Sequence, residues 1–265
     1  MEFNARAIGF ALASFAASIN AAQAQAPQSP APARPACLIE FCIHDANSAQ
    51  PRQMLQVFDD GRVAARSPQS DGPAVEARIS REEAAQLATE LARECRVSGL
   101  STEALEQELA EQSLETGLAA DLEGAGVYEL KVRCKDGTAQ VACPAVGLMA
   151  ERFPGARRVQ KFAKIQQRLD NETAIVQAGG RKAAEELARH ASRELLAAYP
   201  KATPWEAGDL AMVRVGSDGG RFVQFRRTEA AGDRDQGPQL WMTSIFEAPS
   251  GTMRVSVIPP ESVIR

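Results

Sequence analysis

Histidine and aromatic residues are scarce in this chain of 265 residues. It has two histidines, and Phe, Trp and Tyr together make up 5% of the residues. Basic residues are also fewer than acidic ones, 30 against 34, which gives a formal net charge of −4. Because proteins that bind phosphate backbones usually carry a surplus of Lys and Arg, this balance argues against nucleic acid as the partner.

Several motifs of well-known functional sites are absent. The chain contains no G-x-S-x-G of serine hydrolases, no H-E-x-x-H of zinc proteases and no nucleotide-binding P-loop. It has no C-x₂-C pair, and its closest cysteine spacing is Cys37 to Cys42, so the sequence predicts no zinc or other metal site. Nothing in the sequence indicates a cofactor, and these absences together favour a protein that is not an enzyme.

The N-terminus has the features of a secretory signal peptide. Arg6 supplies a positive charge, an apolar run extends from Ala7 to Ile19, and Ala22-Gln23-Ala24 has the small residues that a signal peptidase requires. We therefore expect cleavage after about Ala24 and a secreted or periplasmic location. No later segment reaches 18 consecutive apolar residues, so the sequence predicts no membrane span after cleavage.

Composition divides the remainder into a linker and two modules. Residues 25–36 are rich in Pro and Ala, which predicts an extended linker. Residues 37–178 alternate strand-like runs with helices, and residues 179–265 combine one helix with an antiparallel meander. The prediction is an α+β fold, with two small modules of antiparallel sheet and packed helices that are joined by a long helix.

Capping residues and apolar periodicity locate the helices. Ser80 and Glu83 have the spacing of a capping box, and a second helix opens at Ser101 or Thr102 and ends at Gly117. A long amphipathic helix is expected over 156–176, followed by another over Arg181–Ala198. The strand-like runs are Cys37–Ile43, Gln53–Phe58, Arg62–Ala65, Val127–Cys134, Thr138–Cys143, Leu210–Val215, Arg221–Arg227, Leu240–Phe246 and Met253–Ile258.

Two stretches of this pattern resemble known kinds of domain. Asp60-Gly61-Arg62-Val63, Ile79-Ser80-Arg81-Glu82-Glu83 and the hairpin around Asp136-Gly137 resemble small secreted bacterial domains of unknown function, over residues 37–143. Residues 181–258 resemble in outline the helix-plus-meander of cystatin-like and PepSY-like folds. The second resemblance implies inhibition or binding rather than catalysis, and neither resemblance implies particular active residues.

Five cysteines remain after the leader, so at least one is unpaired within the chain. Export would permit disulfides, and the pairing stays open among Cys37, Cys42, Cys95, Cys134 and Cys143. A two-residue turn at Asp136-Gly137 would place Cys134 opposite Ala139, which makes Cys134 and Cys143 poor partners.

Cys42 and His44 are the one Cys/His pair with a favourable local geometry, because residues two apart on a strand share a face. A catalytic thiolate stabilised by a base is therefore conceivable at Cys42. The alternative is a core cysteine beside a histidine at the end of a strand. Asp45 follows His44 directly and so points to the opposite face, where it cannot easily orient the imidazole.

Charged residues are segregated in the middle of the chain. Seven acids and no base lie between Glu103 and Glu123, and six cations and no acid lie between Arg152 and Arg168. The basic segment either docks on the acidic one, binds an anionic polymer or membrane, or forms a solvated stripe. The first and third alternatives are favoured because the chain as a whole is acidic.

Three functional hypotheses follow. The first is a non-catalytic exported module that binds a protein or another component of the cell envelope or periplasm. The second is an exported hydrolase in which Cys42 and His44 take part, and the third is a structural partner that uses the helix over 156–176 for assembly. The oligomeric state is left open by the sequence.

Overall fold

A computed structural model describes residues 34–46, 48–66, 73–120, 124–216, 218–229 and 239–262. The predicted signal peptide and most of the predicted linker lie outside the described residues. The elements up to residue 152 are β1 (Cys37–His44), β2 (Arg52–Phe58), β3 (Arg62–Ala65), β4 (Val75–Arg78), α1 (Arg81–Val97), α2 (Thr102–Thr116), β5 (Val127–Cys134), β6 (Gly137–Pro144) and α3 (Val146–Arg152). The later elements are α4 (Arg157–Gln177), α5 (Arg181–Ala198), a 3₁₀ turn (Ala207–Asp209), β7 (Leu210–Val215), β8 (Arg221–Glu229), β9 (Gln239–Glu247) and β10 (Met253–Ser262).

The strands form two antiparallel sheets, which confirms the α+β prediction. The larger sheet has the order β4-β3-β2-β1-β5-β6, and the smaller one has the order β10-β9-β8-β7. The smaller sheet is a simple meander. In the larger sheet β1 lies at the centre, between its neighbour in sequence, β2, and the much later strand β5.

Local capping produces the helix starts that the sequence predicts. The Glu83 N–H donates to Ser80 Oγ at 3.1 Å, and the Ser80 N–H donates to Glu83 Oε2 at 2.8 Å, which completes the capping box of α1. Ser101 caps α2, and that helix ends at Gly117 with a φ of 71°. Because glycine adopts positive φ without a side-chain clash, it ends the helix there.

Helices cover one face of the larger sheet. The core-facing strand residues share one hydrophobic cluster with the buried stripes of four helices, so α1 to α4 lie on the same side. Fully buried members of this cluster include Ile39, Phe41, Val132, Leu91, Leu105, Met149 and Phe162. The opposite face is left to polar side chains, as is common for antiparallel sheets.

A second hydrophobic cluster lies between α5 and the smaller sheet. It includes Leu187 and Leu195 of α5 together with Phe225 of β8, and Trp205 packs into it from the preceding loop. Helix α4 contributes to both clusters. Ala174 and Ile175 belong to the second cluster, and the first contains Val159, Phe162, Ile165, Leu169 and Val176. From Pro35 onwards the described part of the chain forms one compact unit, and the module boundary between residues 178 and 179 stays a prediction.

The acidic and basic segments meet at the N-terminus of α4. Ala156 occupies the cap position there and offers no side-chain cap. Glu108 of α2 provides the missing cap. Its Oε2 accepts hydrogen bonds from the N–H groups of Arg158, at 2.8 Å, and Val159, at 3.1 Å. A carboxylate at a helix N-terminus also interacts favourably with the helix dipole, so this contact fastens α2 to α4.

Several details differ from the sequence analysis. The prediction that Cys134 lies opposite Ala139 is wrong: the turn is Lys135-Asp136, and Cys134 pairs with Gly137. The sequence analysis also missed β4, a short edge strand, and α3, a seven-residue helix without a capping side chain. All five cysteines are free thiols in this structure.

No helix within the described ranges is both long and apolar enough to cross a membrane.

Candidate functional site

Strands β1 and β5 bring three chemically active side chains together on the helix-free face of the larger sheet. In the antiparallel pairing Cys42 lies directly opposite Glu129, and His44 lies opposite Val127. Residues directly opposite one another share a face, as do residues two apart on one strand. Cys42, His44 and Glu129 therefore form a cluster, hereafter the Cys-His-Glu cluster.

The distances within this cluster are short. His44 Nε2 donates a hydrogen bond to Glu129 Oε2 at 2.8 Å, and Cys42 Sγ lies 3.6 Å from the same oxygen. The sulfur is 3.5 Å from His44 Nε2. The three donor atoms thus form a compact triangle, and the sequence-based expectation that Cys42 and His44 share a face is confirmed.

The second oxygen of Glu129 is held separately. Gln140 Nε2 donates to Glu129 Oε1 at 2.6 Å, and Lys131 Nζ lies 3.2 Å from the same oxygen. Gln140 is positioned for this because β6 pairs it with Lys131. The carboxylate is therefore fixed by Oε1, while Oε2 is directed at the sulfur and the imidazole.

Burial differs sharply across the cluster. Cys42 is 2% exposed, and the Glu129 side chain is 10% exposed. The His44 side chain, at the end of β1, is 45% exposed. Access from solvent is therefore past the imidazole, with the sulfur and the carboxylate beneath it.

The surroundings keep the Cys42 sulfur protonated. Burial and the nearby Glu129 carboxylate raise the pKa of Cys42 to about 12. Burial also disfavours the ionised form of Glu129, but hydrogen bonds from His44, Lys131 and Gln140 outweigh it and lower the pKa of this carboxyl. The cluster thus pairs a thiol with a carboxylate, whereas a nucleophilic cysteine needs surroundings that stabilise the thiolate.

The same three side chains are suited to metal coordination. Each offers one ligand atom, and these atoms lie within 4.8 Å of one another. Cysteine, histidine and glutamate are all established zinc ligands. The expectation of no zinc site depends on the spacing of cysteines along the sequence. That spacing carries no information about ligands that come from separate strands.

Polar side chains surround the cluster on the sheet. Glu40 lies between Gln56 of β2 and Lys131 of β5, and Gln53 of β2 lies opposite Cys42. The Gln53 amide donates to Glu40 Oε1 at 3.0 Å. Among the described residues no hydrophobic cluster covers this face, so the Cys-His-Glu cluster lies among polar side chains and only His44 is largely exposed.

The other residues that the sequence analysis singled out lie elsewhere. Asp45 pairs with Arg52 at 3.5 Å and does not orient His44, as expected from strand geometry. His190 is on α5, where its ring contacts Arg193. Sequence reasoning missed Glu129, although it lies in the correctly predicted strand Val127–Cys134. The available signal was that Glu129 is the only acid of that strand.

Comparisons with known proteins identify no relative: neither a protein-family model, nor a curated protein, nor a solved structure matches this chain.

Proposed function

We propose that this protein is a non-catalytic binding protein of the cell envelope or periplasm, and that it holds a divalent metal ion of the zinc class at Cys42, His44 and Glu129. The observation that carries this proposal is the convergence of one sulfur, one nitrogen and one oxygen donor on a single face of the sheet. The predicted leader supports the location, and the exposed side chain of His44 supports access.

The spacing of the donors suits a tetrahedral ion. With usual zinc bond lengths, a tetrahedral ion holds its sulfur ligand about 3.6 Å from a nitrogen ligand and about 3.6 Å from an oxygen ligand. The corresponding distances from Cys42 Sγ are 3.5 Å and 3.6 Å. Only the His44–Glu129 hydrogen bond, at 2.8 Å, must lengthen, to about 3.4 Å, when an ion replaces its proton.

Supporting contacts already orient the carboxylate ligand. Gln140 and Lys131 bind Oε1 of Glu129, which leaves Oε2 for the ion. Hydrogen bonds of this kind orient metal ligands and typically contribute 10- to 100-fold in affinity. Three protein ligands leave a fourth position, which faces solvent past His44 and can accept water or a group from a partner.

The charges at the cluster suit a divalent ion. A thiolate and a carboxylate together neutralise its two positive charges, which favours its retention at a half-buried position. Without an ion, the pKa of Cys42 is about 12, which leaves almost no thiolate at neutral pH. This pKa weighs against Cys42 as the nucleophile of the hydrolase hypothesis.

Titration of the purified chain with Zn²⁺ against a chromophoric chelator tests the proposal. We expect one ion per chain, with at least a tenfold loss of affinity in His44→Ala and in the isosteric Glu129→Gln. His190→Ala is the matched control, because it removes the other histidine without touching the cluster, and its affinity should equal that of the original chain.

Substitution of Co²⁺ provides an independent readout of the sulfur ligand. Bound Co²⁺ should show a thiolate charge-transfer band that disappears in Cys42→Ala. The proposal is wrong if the original chain binds no stoichiometric ion, or if His44→Ala and His190→Ala bind equally well.

A further inference from the structure

A groove of about 610 Å³ lies on the helix-covered side of the larger sheet, on the face opposite the Cys-His-Glu cluster. One wall is α1. The other wall is the beginning of β1 together with the end of β5 and the turn after it. Its volume is in the range of sites that enclose one small organic ligand.

The α1 wall has small residues in its middle and cations at its ends. Arg81, Ala85, Thr89 and Arg93 recur every four residues, so they share one stripe of the helix. The Thr89 hydroxyl is already used, because it donates to the Ala85 carbonyl oxygen at 2.8 Å. Gln86 and Glu90 also line the middle of this wall, and the Gln86 amide donates to Glu90 Oε1 at 3.0 Å. Beside this bonded pair, the wall presents the methyl groups of Ala85 and Thr89.

The opposite wall of the groove is apolar as well. Leu38 and Cys134, both half-buried, line the groove there, and Ala88 lies buried at its base. Arg96 near the end of α1 holds this wall in place by donating to both the carbonyl and the carboxylate of Asp136. The groove is thus a preformed apolar channel between two fixed elements.

The rim of the groove is positively charged in a protein that is acidic overall. Four cationic residues line the groove, against two acidic ones, Asp59 and Glu90. Glu90 forms a salt bridge at 2.9 Å with Arg168, which does not line the groove. Asp59 accepts a hydrogen bond from the Ala36 N–H. The cationic residues are Arg81, Arg93, Arg133 and Lys135, and in the described part of the chain none of these four forms an ion pair.

We propose that this groove binds a fatty acid. The acyl chain lies against Leu38, Ala85, Ala88 and Cys134, and the carboxylate lies at Arg93 and Lys135. An acyl chain brings no hydrogen-bonding groups that these side chains would leave unpaired, unlike a peptide backbone. The unpaired guanidinium and ammonium groups supply charge-assisted hydrogen bonds to the carboxylate. This site is separate from the proposed metal site, and the two proposals are independent of each other.

Binding of saturated fatty acids, measured by calorimetry below their micelle concentrations, tests the proposal. From octanoate to decanoate to dodecanoate, the affinity should rise by up to about fourfold per buried methylene. Methyl dodecanoate and dodecyltrimethylammonium keep the chain without the negative charge, and they should bind at least tenfold more weakly than dodecanoate.

Matched variants locate the site. Arg93→Gln combined with Lys135→Gln should weaken dodecanoate binding at least tenfold, and Ala85→Phe should block the channel at an exposed helix position. Arg254→Gln on β10 removes an exposed arginine elsewhere and should change nothing. The inference is overturned if dodecanoate does not bind saturably, if the cationic or ester analogue binds as tightly, or if Arg254→Gln weakens binding as much as the groove variants.

Discussion

Glu129 Oε2 lies 2.8 Å from His44 Nε2, although the two residues are 85 positions apart in sequence. The contact exists because β5 pairs with the central strand β1, and the register places Glu129 opposite Cys42. This one carboxylate changes the chemistry of its neighbours: together with burial it keeps Cys42 as a thiol, and it completes a set of three side chains that could hold a metal ion.

The protonated state of Cys42 makes its alkylation slow. Because the pKa of Cys42 is about 12, we expect iodoacetamide at pH 8 to modify this residue far more slowly than a free cysteine with an ordinary pKa near 8.5. Mass spectrometry of the peptide that contains Cys42 measures the rate. Glu129→Gln should accelerate the reaction, because it removes the carboxylate that raises the pKa. A rate for the native chain equal to that of free cysteine would contradict this prediction.

Loss of the cap that Glu108 provides should destabilise α4. Glu108→Ala leaves two N–H groups of α4 without their acceptor, and we expect it to lower the free energy of unfolding by about 1–2 kcal/mol. Urea denaturation followed by circular dichroism measures the change. Glu111→Ala on the same helix removes a carboxylate that accepts a hydrogen bond from the Gln107 amide on the exposed side of the helix, so it should cost less than about 0.5 kcal/mol. Equal losses in both variants would refute the capping role.

Asp170 of α4 should make the protein less stable as the pH rises from 4 to 7. Burial raises the pKa of this carboxyl to about 7, and its hydrogen bond from Gln166 offsets burial only in part. Between the unfolded pKa near 4 and the folded pKa, the folded state binds more protons than the unfolded state, so the free energy of unfolding falls with increasing pH. Above pH 7 both states are ionised and the effect is constant.

Asp170→Asn isolates this contribution. The variant should match the original chain near pH 4 and exceed its free energy of unfolding near pH 8, by roughly 4 kcal/mol at most. Denaturant titrations of both chains at pH 4, 6 and 8 measure the difference. A gap that stays constant from pH 4 to 8 would exclude an elevated pKa at Asp170.

Gly61 is required by close backbone packing as well as by its turn. Its φ is 82°, and a Cβ there would lie 2.2 Å from the Ile79 carbonyl oxygen. Gly61→Ala should therefore cost more than the roughly 1–2 kcal/mol of a left-handed alanine alone. Gly219 has the same φ of 82° with nothing within 4 Å of the added carbon, so Gly219→Ala measures the conformational cost by itself. Thermal unfolding of the two variants gives the difference, and similar values would disprove the clash.

Local signals in the sequence were sufficient for most elements. The capping box at Ser80, the glycine at Gly117 and the bounds of α5 all appear as predicted, because caps and periodicity act within a few residues. The sequence analysis missed β4 because it is a four-residue, largely exposed edge strand that depends on pairing with β3. It missed α3 because this helix has seven residues and no capping side chain. The predicted turn at Asp136-Gly137 was displaced by one residue, which moved the partner of Cys134 from Ala139 to Gly137.

By itself the sequence determined the α+β class and the shared face of Cys42 and His44, since side-chain alternation along one strand is a local property. Only the tertiary structure decided that Glu129 joins them and that Glu108 caps α4. Strand and helix partners are chosen by long-range burial of apolar surface, and many pairings satisfy the same local pattern. The chemistry of the candidate site therefore depends on the strand order β2-β1-β5, which no local motif in this chain encodes.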